Sequence, residues 1–209
     1  MSLKVLVVGL GNMGMSHALA YTRIPGFEVV GLCERRIADR TLPAELSHCK
    51  TFASFEDALA ELKPDVVSIN TLPDTHASFA IQAMEAGAHV FVEKPFTNDL
   101  EVLAHIDHQL GKTRMQKLHV NHLYRFSELL KKVEMDNVQT IQMHWEKYSD
   151  STYSIEENLL SHDVSILLTL FGLDLEFTVI SKLALADTLV VESKVNDVAV
   201  RMSYHLRSN

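Results

Sequence analysis

The 209-residue sequence predicts an α/β fold built in two parts. Short apolar runs alternate with helical stretches up to about residue 122, which predicts a doubly wound parallel sheet with right-handed crossovers. Beyond that point one strongly apolar helix is followed by alternating strands, which predicts an α+β domain with an open-faced, incomplete antiparallel sheet. We therefore expect domains at residues 1–122 and 123–209.

The first part contains five strand candidates, which are short runs rich in β-branched residues: Lys4–Val8, Glu28–Leu32, Asp65–Ile69, His89–Val92 and Leu118–Val120. Their continuous apolar character is typical of parallel strands, because such strands are covered on both faces. Apolar residues at helical spacing predict the connecting helices Met13–Tyr21, Ile37–Leu46, Phe55–Leu62, Thr75–Ala86 and Asp99–Leu110.

The second part begins with a helix candidate at Phe126–Met135 and a strand-like segment, "VQTIQMHWEKY". An apolar helix follows at about Glu156–Phe171, and Gly172 is its expected C-cap. The remaining residues alternate like two or three antiparallel strands.

Composition excludes several classes of protein. The net charge is −8 and no basic block interrupts it, so a nucleic-acid surface is not expected. The two cysteines, Cys33 and Cys49, form no CxxC motif, and we predict neither a disulfide scaffold nor a metal site. No signal-peptide pattern opens the chain, and the longest apolar run, near residues 164–173, is too short to span a bilayer. We expect a soluble cytoplasmic protein.

The stretch "VLVVGLGNMGMSHALAY" places Gly9, Gly11 and Gly14 as GxGxxG between an apolar strand and a helix. In a dinucleotide site the first glycine permits the tight turn, the second lets the backbone approach a pyrophosphate, and the third lets helix and strand pack closely. Asn12 and Met13 lie between the last two glycines, at the helix start, where free N–H groups bind phosphate. The motif predicts a dinucleotide site, and the alternative is a glycine turn in an α/β domain that binds no nucleotide.

Glu34 follows the second strand, 20 residues after Gly14. Its carboxylate is placed to accept hydrogen bonds from the adenosine ribose, which favours NAD over NADP. Arg35 and Arg36 come next, and either could receive the 2′-phosphate of NADP. NAD is favoured, and both cofactors stay open.

Four motifs occur in order along the chain: "GLGNMG", "NTLPDTH", "VEKP" and "SHDVSILLTLFG". With them the sequence resembles the glucose–fructose oxidoreductase/inositol dehydrogenase (Gfo/Idh/MocA) family. The resemblance implies a Rossmann domain that carries a nicotinamide cofactor and an α/β domain with an open-faced sheet that closes the substrate site.

By this resemblance Thr71, Pro73 and His76 lie beside the cofactor, at the end of the predicted strand Asp65–Ile69, the fourth strand of the family's sheet. Lys94 would contact the substrate hydroxyl near the nicotinamide, with a Lys94–Pro95 bond that is often cis, and Glu93 would help to position the cofactor. Without the resemblance, the segment 93–95 is also consistent with a charged turn in which proline marks a helix start.

In the second part, Asn158, His162, Ser165 and Thr169 fall on one stripe of the predicted helix, which suits the wall of a cleft. The family match makes His162 catalytic, whereas a lone histidine on an apolar helix is otherwise a structural residue. The family commonly has an aspartate where this chain has Asn158, and an amide orients an imidazole but does not neutralise it. Asn158 and Arg125, which matches a family segment at the domain junction, are candidate substrate residues.

The predicted activity is oxidoreduction of a secondary alcohol in a sugar, cyclitol or sugar derivative. His162, with an ordinary pKa of about 6.5, is the candidate general base. Lys94, with an ordinary pKa of about 10.4, would polarise the oxygen as a cation. Since the chain is shorter than is usual in the family, the alternatives are a non-catalytic dinucleotide-binding sensor or scaffold and an inactive truncated member. We expect a small-molecule substrate and a homo-oligomer formed through the C-terminal sheet.

Overall fold

The computed structural model describes residues 1–104, 106, 117–148 and 159–207. The chain divides into two compact units, Met1–Asn121 and His122–Asn209. Each unit is described by itself below.

The first unit is a parallel sheet with helices, as the sequence predicts, and it has six strands where the sequence predicts five. Its elements are β1 (Leu3–Val8), α1 (Asn12–Tyr21), β2 (Phe27–Cys33), β3 (Lys50–Phe52), α2 (Phe55–Leu62), β4 (Val66–Ile69), α3 (Pro73–Glu85), β5 (His89–Glu93) and β6 (Leu118–Asn121). A further helical segment begins at Leu100, and the C-terminal part of the predicted helix that contains it, residues 107–110, lies outside the described residues.

The strand order is β3-β2-β1-β4-β5-β6, and every pairing is parallel. The chain leaves β1 toward one edge of the sheet and returns to β4 on the other side of β1. This reversal opens a crevice at the carboxyl ends of β1 and β4, where open α/β sheets bind their ligands.

Burial on both faces explains why the apolar run of β1 is continuous. Val5 and Val7 pack with Ala18 of α1, on one face of the sheet. Leu6 and Val8 belong to the core on the other face, which α2 and α3 cover. The side chains of residues 5–8 are all buried, so a polar residue on either face of this part of β1 would be destabilising.

Two features of the first unit differ from the sequence predictions. The segment 37–46 is not one helix but two short 3₁₀ turns, Ile37–Asp39 and Ala44–Leu46. Pro43 lies inside that segment, and a proline excludes a helical hydrogen bond and disfavours the α conformation of the residue before it. The edge strand β3 was not predicted, because its three residues carry too little pattern.

The second unit contains one described α-helix and a four-stranded sheet. Its elements are β7 (Thr140–Tyr148), α4 (Ser161–Phe171), β8 (Phe177–Ala184), β9 (Thr188–Val195) and β10 (Val198–Arg207). Gly172 follows α4 with a φ of +89°, as expected of a glycine at a helix end. The predicted helix at Phe126–Met135 is wrong, since the chain forms 3₁₀ turns at Leu123–Phe126 and Leu130–Lys132 instead.

The sheet order is β7-β10-β9-β8. The three C-terminal strands pair antiparallel, as predicted, but β7 pairs with β10 in parallel, so the sheet is mixed. One face carries a buried core that includes Leu167, Val191, Met202 and Tyr204. Every residue of the edge strand β8 is exposed. The predicted fold class, a Rossmann-type doubly wound sheet plus an α+β domain, is confirmed.

Candidate functional site

The glycine loop lies between β1 and α1, at the crevice of the parallel sheet. Gly9 has a φ of +79°, and a Cβ there would lie 2.7 Å from the carbonyl oxygen of Asn70. A Cβ at Gly14 would lie 1.7 Å from the carbonyl oxygen of Gly9. Both glycines are therefore required by the protein's own packing, which is the role that the sequence predicts for the first and third positions.

Gly11 differs from the other two glycines. A Cβ there would meet no described heavy atom within 4 Å, and its φ of −66° suits any residue. The protein's own packing therefore does not require a glycine here. Gly11 is also the N-cap of α1, and Asn12 and Met13, both exposed, form the first turn. The first amides of a helix lack intrahelical acceptors and carry the positive end of its dipole, which suits an anion.

Glu34 comes directly after β2 and faces the glycine loop. Its Oε2 accepts a hydrogen bond of 3.1 Å from the backbone N–H of Leu10 and lies 3.9 Å from Nη2 of Arg40. Arg36 points its guanidinium to Asp39, with Nε donating to Oδ2 at 2.8 Å. Of the two arginines that follow Glu34, only Arg35 lines the cleft.

The cleft has a volume of about 480 Å³ and is lined from both sides of the strand reversal. Of the predicted cofactor residues, Gly9, Gly11, Glu34, Arg35 and Thr71 line it. The lining residues that sequence reasoning missed include Arg40, Asn70, Asp74 and Thr75. Asn70 was detectable in principle, because it is the first residue after the apolar run of β4.

Cys33 also lines this cleft, but it is not a reactive thiol. Burial, with smaller contributions from Glu34 and Glu56, raises the pKa of the Cys33 thiol to about 11. A thiol with that pKa is protonated at neutral pH and is a poor nucleophile.

His76 is buried and links two loops of the first unit. Its Nδ1 lies 2.8 Å from the carbonyl oxygen of Pro95, and its Nε2 lies 3.0 Å from the carbonyl oxygen of Thr71. His76 therefore ties the loop after β4 to the loop after β5. Pro73 is the first residue of α3, and neither it nor His76 lines the cleft. Their predicted contact with a cofactor stays a prediction.

Glu93 and Lys94 lie at the carboxyl end of β5. Lys94 is half-buried, and its peptide bond to Pro95 is cis. Glu93 is 14% exposed, and its Oε1 accepts a hydrogen bond of 2.7 Å from Nδ2 of Asn121. His17 of α1 places its Nε2 3.3 Å from the same oxygen. The acid that precedes Lys94 is thus held by side chains of α1 and β6.

In the second unit, His162 lies on the first turn of α4 between two aromatic rings. The indole of Trp145 stacks on the imidazole, with 5.7 Å between centroids and 27° between planes. Tyr124 meets the same ring edge-on, at 5.6 Å and 90°. The two rings therefore enclose the imidazole on two sides and restrict its orientation.

Asp163 fixes the orientation of that indole. Its buried carboxylate accepts hydrogen bonds from Nε1 of Trp145 at 2.6 Å and from the hydroxyl of Tyr204 at 2.5 Å. Burial raises the pKa of Asp163, and the two hydrogen bonds partly oppose that rise. The Tyr204 pKa is raised by its own burial and by Asp163, so its hydroxyl remains a donor. Sequence reasoning missed this group, although an acid in an apolar helix beside the predicted base was a signal.

The other predicted residues of the second unit are distributed differently. Arg125 is exposed, in the 3₁₀ turn Leu123–Phe126. Ser165 is buried, 1% exposed, and Thr169 donates its hydroxyl hydrogen to the Ser165 carbonyl. The predicted place of this stripe on the wall of a cleft stays a prediction. Asn158 lies outside the described residues.

Two classes of site are not found among the described residues. No group of three or more His, Cys, Asp or Glu side chains there is placed to hold a metal ion. Within the same ranges, no helix has the length and apolar character needed to cross a membrane.

Comparison with known proteins identifies relatives of the chain. A model of an oxidoreductase family with an NAD-binding Rossmann fold, GFO_IDH_MocA, matches residues 3–122. UDP-N-acetylglucosamine 3-dehydrogenase of Acidithiobacillus ferrooxidans is 38% identical over 95 residues, which cover 46% of this chain and 29% of that protein. Glycosyl hydrolase family 109 protein 2 of Akkermansia muciniphila is 34% identical over 111 residues, covering 48% and 24% respectively. The matched stretches thus span less than a third of either relative.

The fold also has solved counterparts. The crystal structure of scyllo-inositol dehydrogenase from Lactobacillus casei, with bound NAD(H) and scyllo-inositol, superposes with a TM-score of 0.79. The superposition covers 100% of this chain and 71% of that chain, at 18% identity. At that identity the likeness shows a shared fold.

Proposed function

Because the chain belongs to the GFO_IDH_MocA oxidoreductase family, we propose that it is a nicotinamide-dependent oxidoreductase acting on a secondary alcohol of a sugar, cyclitol or sugar derivative. The observation that carries the proposal is the cleft at the strand reversal, with the glycine loop on one side and Glu34 on the other. The substrate class is supported by relatives and structural neighbours named for a UDP-sugar and an inositol.

The residues of the cleft suit a dinucleotide. Gly11 leaves open space where a pyrophosphate approaches the backbone, and it stands at the N-terminus of α1. Glu34 presents a carboxylate oxygen 3.1 Å from the Leu10 amide, next to the loop, where ribose hydroxyls are bound in this fold. A carboxylate repels the 2′-phosphate of NADP, so the proposal favours NAD. Arg35 and Arg40 line the same end of the cleft and would weaken that preference.

In the proposed chemistry one residue stabilises the charge on the substrate oxygen and another exchanges the hydroxyl proton. A bound nicotinamide supplies the hydride chemistry, and the protein positions the carbon and manages the proton. Lys94, as a cation, would stabilise negative charge that develops on the substrate oxygen. His162 would accept or return the hydroxyl proton, and the Trp145 and Tyr124 rings would hold its imidazole in place.

The first test is a fluorescence titration of the purified protein with NADH and NADPH. We expect NADH to bind at least about tenfold more tightly, a difference of about 1.4 kcal/mol. Glu34→Gln should weaken NADH and strengthen NADPH. Arg35→Gln should weaken NADPH, whereas the matched control Arg36→Gln, at a residue outside the cleft, should change neither affinity. Binding of neither nucleotide would refute the cofactor assignment.

The second test is a screen of polyols, inositols and nucleotide sugars for NAD reduction. Lys94→Ala and His162→Ala should each lower kcat at least about a hundredfold, in the range of lost general-base or oxyanion assistance, with NADH affinity retained. NADH binding without turnover of any alcohol would favour a non-catalytic dinucleotide-binding protein. Because one relative is named a glycosyl hydrolase, the panel should include aryl glycosides.

The sheet of the second unit is the proposed contact for a homo-oligomer. Its edge strand β8 exposes apolar side chains, including Val179 at 53% and Ile180 at 66%. Unpaired edges with such side chains associate readily. Light scattering of the wild type and of Ile180→Lys would test this, and a wild-type monomer at all concentrations would refute it.

A further inference from the structure

A row of polar side chains joins α1 to three neighbouring strands of the first unit. Ser68 lies in β4 and Asn70 directly follows that strand. Glu93 ends β5 and Asn121 ends β6, and these two residues are partners in the parallel register. His17, in the second turn of α1, reaches both the β4 side and the β5 side of the row.

The contacts form an unbroken series. Asn70 donates from Nδ2 to the hydroxyl and to the carbonyl of Ser68, both at 3.1 Å. The Ser68 hydroxyl lies 3.3 Å from Nδ1 of His17. Nε2 of His17 lies 3.3 Å from Oε1 of Glu93, which also accepts from Nδ2 of Asn121 at 2.7 Å.

With an ionised Glu93 and a neutral His17, the contact between these two residues fixes the tautomer of the imidazole. The carboxylate of Glu93 only accepts, so Nε2 of His17 carries the hydrogen. In a neutral imidazole Nδ1 is then an acceptor, to which the Ser68 hydroxyl can donate while it accepts from Asn70. The side chain of Tyr21 is a further hydrogen-bond partner of Ser68. The neutral form is consistent with the surroundings, because burial lowers the pKa of His17 and the nearby Glu93 charge opposes that shift only in part.

Packing restricts movement of the imidazole. Phe91 of β5 meets the ring of His17 edge-on at 5.5 Å, and it stacks on the ring of His119 at 5.2 Å. The side chains of His17 and Glu93 are each 14% exposed. The imidazole and the carboxylate are therefore restricted by ring packing and low exposure as well as by their hydrogen bonds.

We infer that His17 is a positioning residue: through Nε2 it holds the Glu93 carboxylate, and through Glu93 it sets the conformation of the chain at Lys94. The predicted effect on turnover rests on the proposed function, because that proposal assigns Lys94 to the substrate oxygen. The geometric part of the inference stands apart, because the contact of His17 with Glu93 and the conformation at Lys94 can be measured without turnover.

The two halves of the contact can be separated by substitution. In His17→Gln the side-chain amide reaches the position of Nε2 and keeps a donor to Glu93. In His17→Asn the amide reaches only the position of Nδ1 and keeps the Ser68 contact. We expect His17→Asn to lower kcat about tenfold with NADH affinity unchanged, and His17→Gln to stay within about twofold of the wild type. The control is His89→Gln, because His89 is exposed at the opposite end of β5.

Equal losses of kcat in the two variants, or losses that follow their unfolding free energies, would make His17 merely structural and overturn the inference. A second measurement does not need turnover. Nitrogen-15 NMR of His17 at neutral pH should show the Nε2–H tautomer. The Lys94 side-chain shifts, assigned with Lys94→Arg, should move in His17→Asn and not in His17→Gln.

An Nδ1–H tautomer, or Lys94 shifts that are the same in all variants, would refute the inference whether or not a substrate is found. A wild type that binds NADH but oxidises no alcohol would refute the proposed function. The NMR result would still decide the role of His17.

Discussion

A single methyl group at Gly11 should separate cofactor binding from stability. The residue has a φ of −66° and a ψ of −169°, which alanine adopts, and a Cβ there meets no described heavy atom within 4 Å. Alanine is a poorer N-cap than glycine, which lowers stability. Alanine also reduces the conformational entropy of the unfolded chain, which stabilises the folded protein by about 0.4–1 kcal/mol. Since these effects oppose each other, Gly11→Ala should change the unfolding free energy by less than about 1 kcal/mol.

Cofactor affinity should fall much further. The methyl group would occupy the space through which a pyrophosphate approaches the helix N-terminus. Loss of one hydrogen bond to a charged group costs about 1.5–3 kcal/mol, which corresponds to a roughly 10- to 150-fold higher Kd for NADH. The assays are urea unfolding and NADH fluorescence titration on the same preparation.

Gly14→Ala is the contrasting variant. Its Cβ would lie 1.7 Å from the Gly9 carbonyl oxygen, so backbone must move. Overpacking of this kind costs about 1–3 kcal/mol, and here affinity and stability should fall together. A stable Gly11→Ala protein with wild-type NADH affinity would refute the assignment of the glycine loop as the phosphate site.

Two further predictions concern stability. Because the Asp163 pKa is raised on folding, its contribution to stability is present below the unfolded value of 3.8 and is lost as the pH rises through the folded value. Asp163→Asn, which can still pair with Trp145 and Tyr204, should leave the unfolding free energy at pH 7 unchanged or higher and flatten that pH dependence. Asp163→Leu should lower the unfolding free energy by about 1–3 kcal/mol for each donor left unpaired. The measurement is urea unfolding from pH 4 to pH 8, and an Asp163→Leu protein as stable as Asp163→Asn would contradict the prediction. Ser54 caps α2 by accepting from the Asp57 amide at 3.1 Å, so Ser54→Ala should cost about 1 kcal/mol in the same assay while Ser54→Asp costs less; equal values for the two variants would contradict the cap.

The predictions that held depend on local pattern. Strand β1 is covered on both faces, so every one of its side chains from Val5 to Val8 had to be apolar, and the run is visible in the sequence. The glycine loop is equally local, because the constraint on Gly14 comes from Gly9, five residues earlier. The helix predicted at Phe126–Met135 failed because its apolar spacing has no face to bury. Phe126 and Leu129 remain 56% and 80% exposed, and a short helix without packing is marginal in water.

By itself the sequence determined the doubly wound sheet, the loop between β1 and α1, and Glu34 at the end of β2, since each is specified by residues near one another in the chain. Only the tertiary structure decided which distant groups meet. The parallel pairing of β7 with β10 joins residues 59 positions apart, and the contacts of Asp163 with Trp145 and Tyr204 join residues 18 and 41 positions apart. The series from Ser68 through His17 to Glu93 likewise crosses three elements. Hydrogen bonds between side chains depend on the positions and directions of the groups in space. Spacing along the sequence does not specify these, because they depend on the order in which the strands pair.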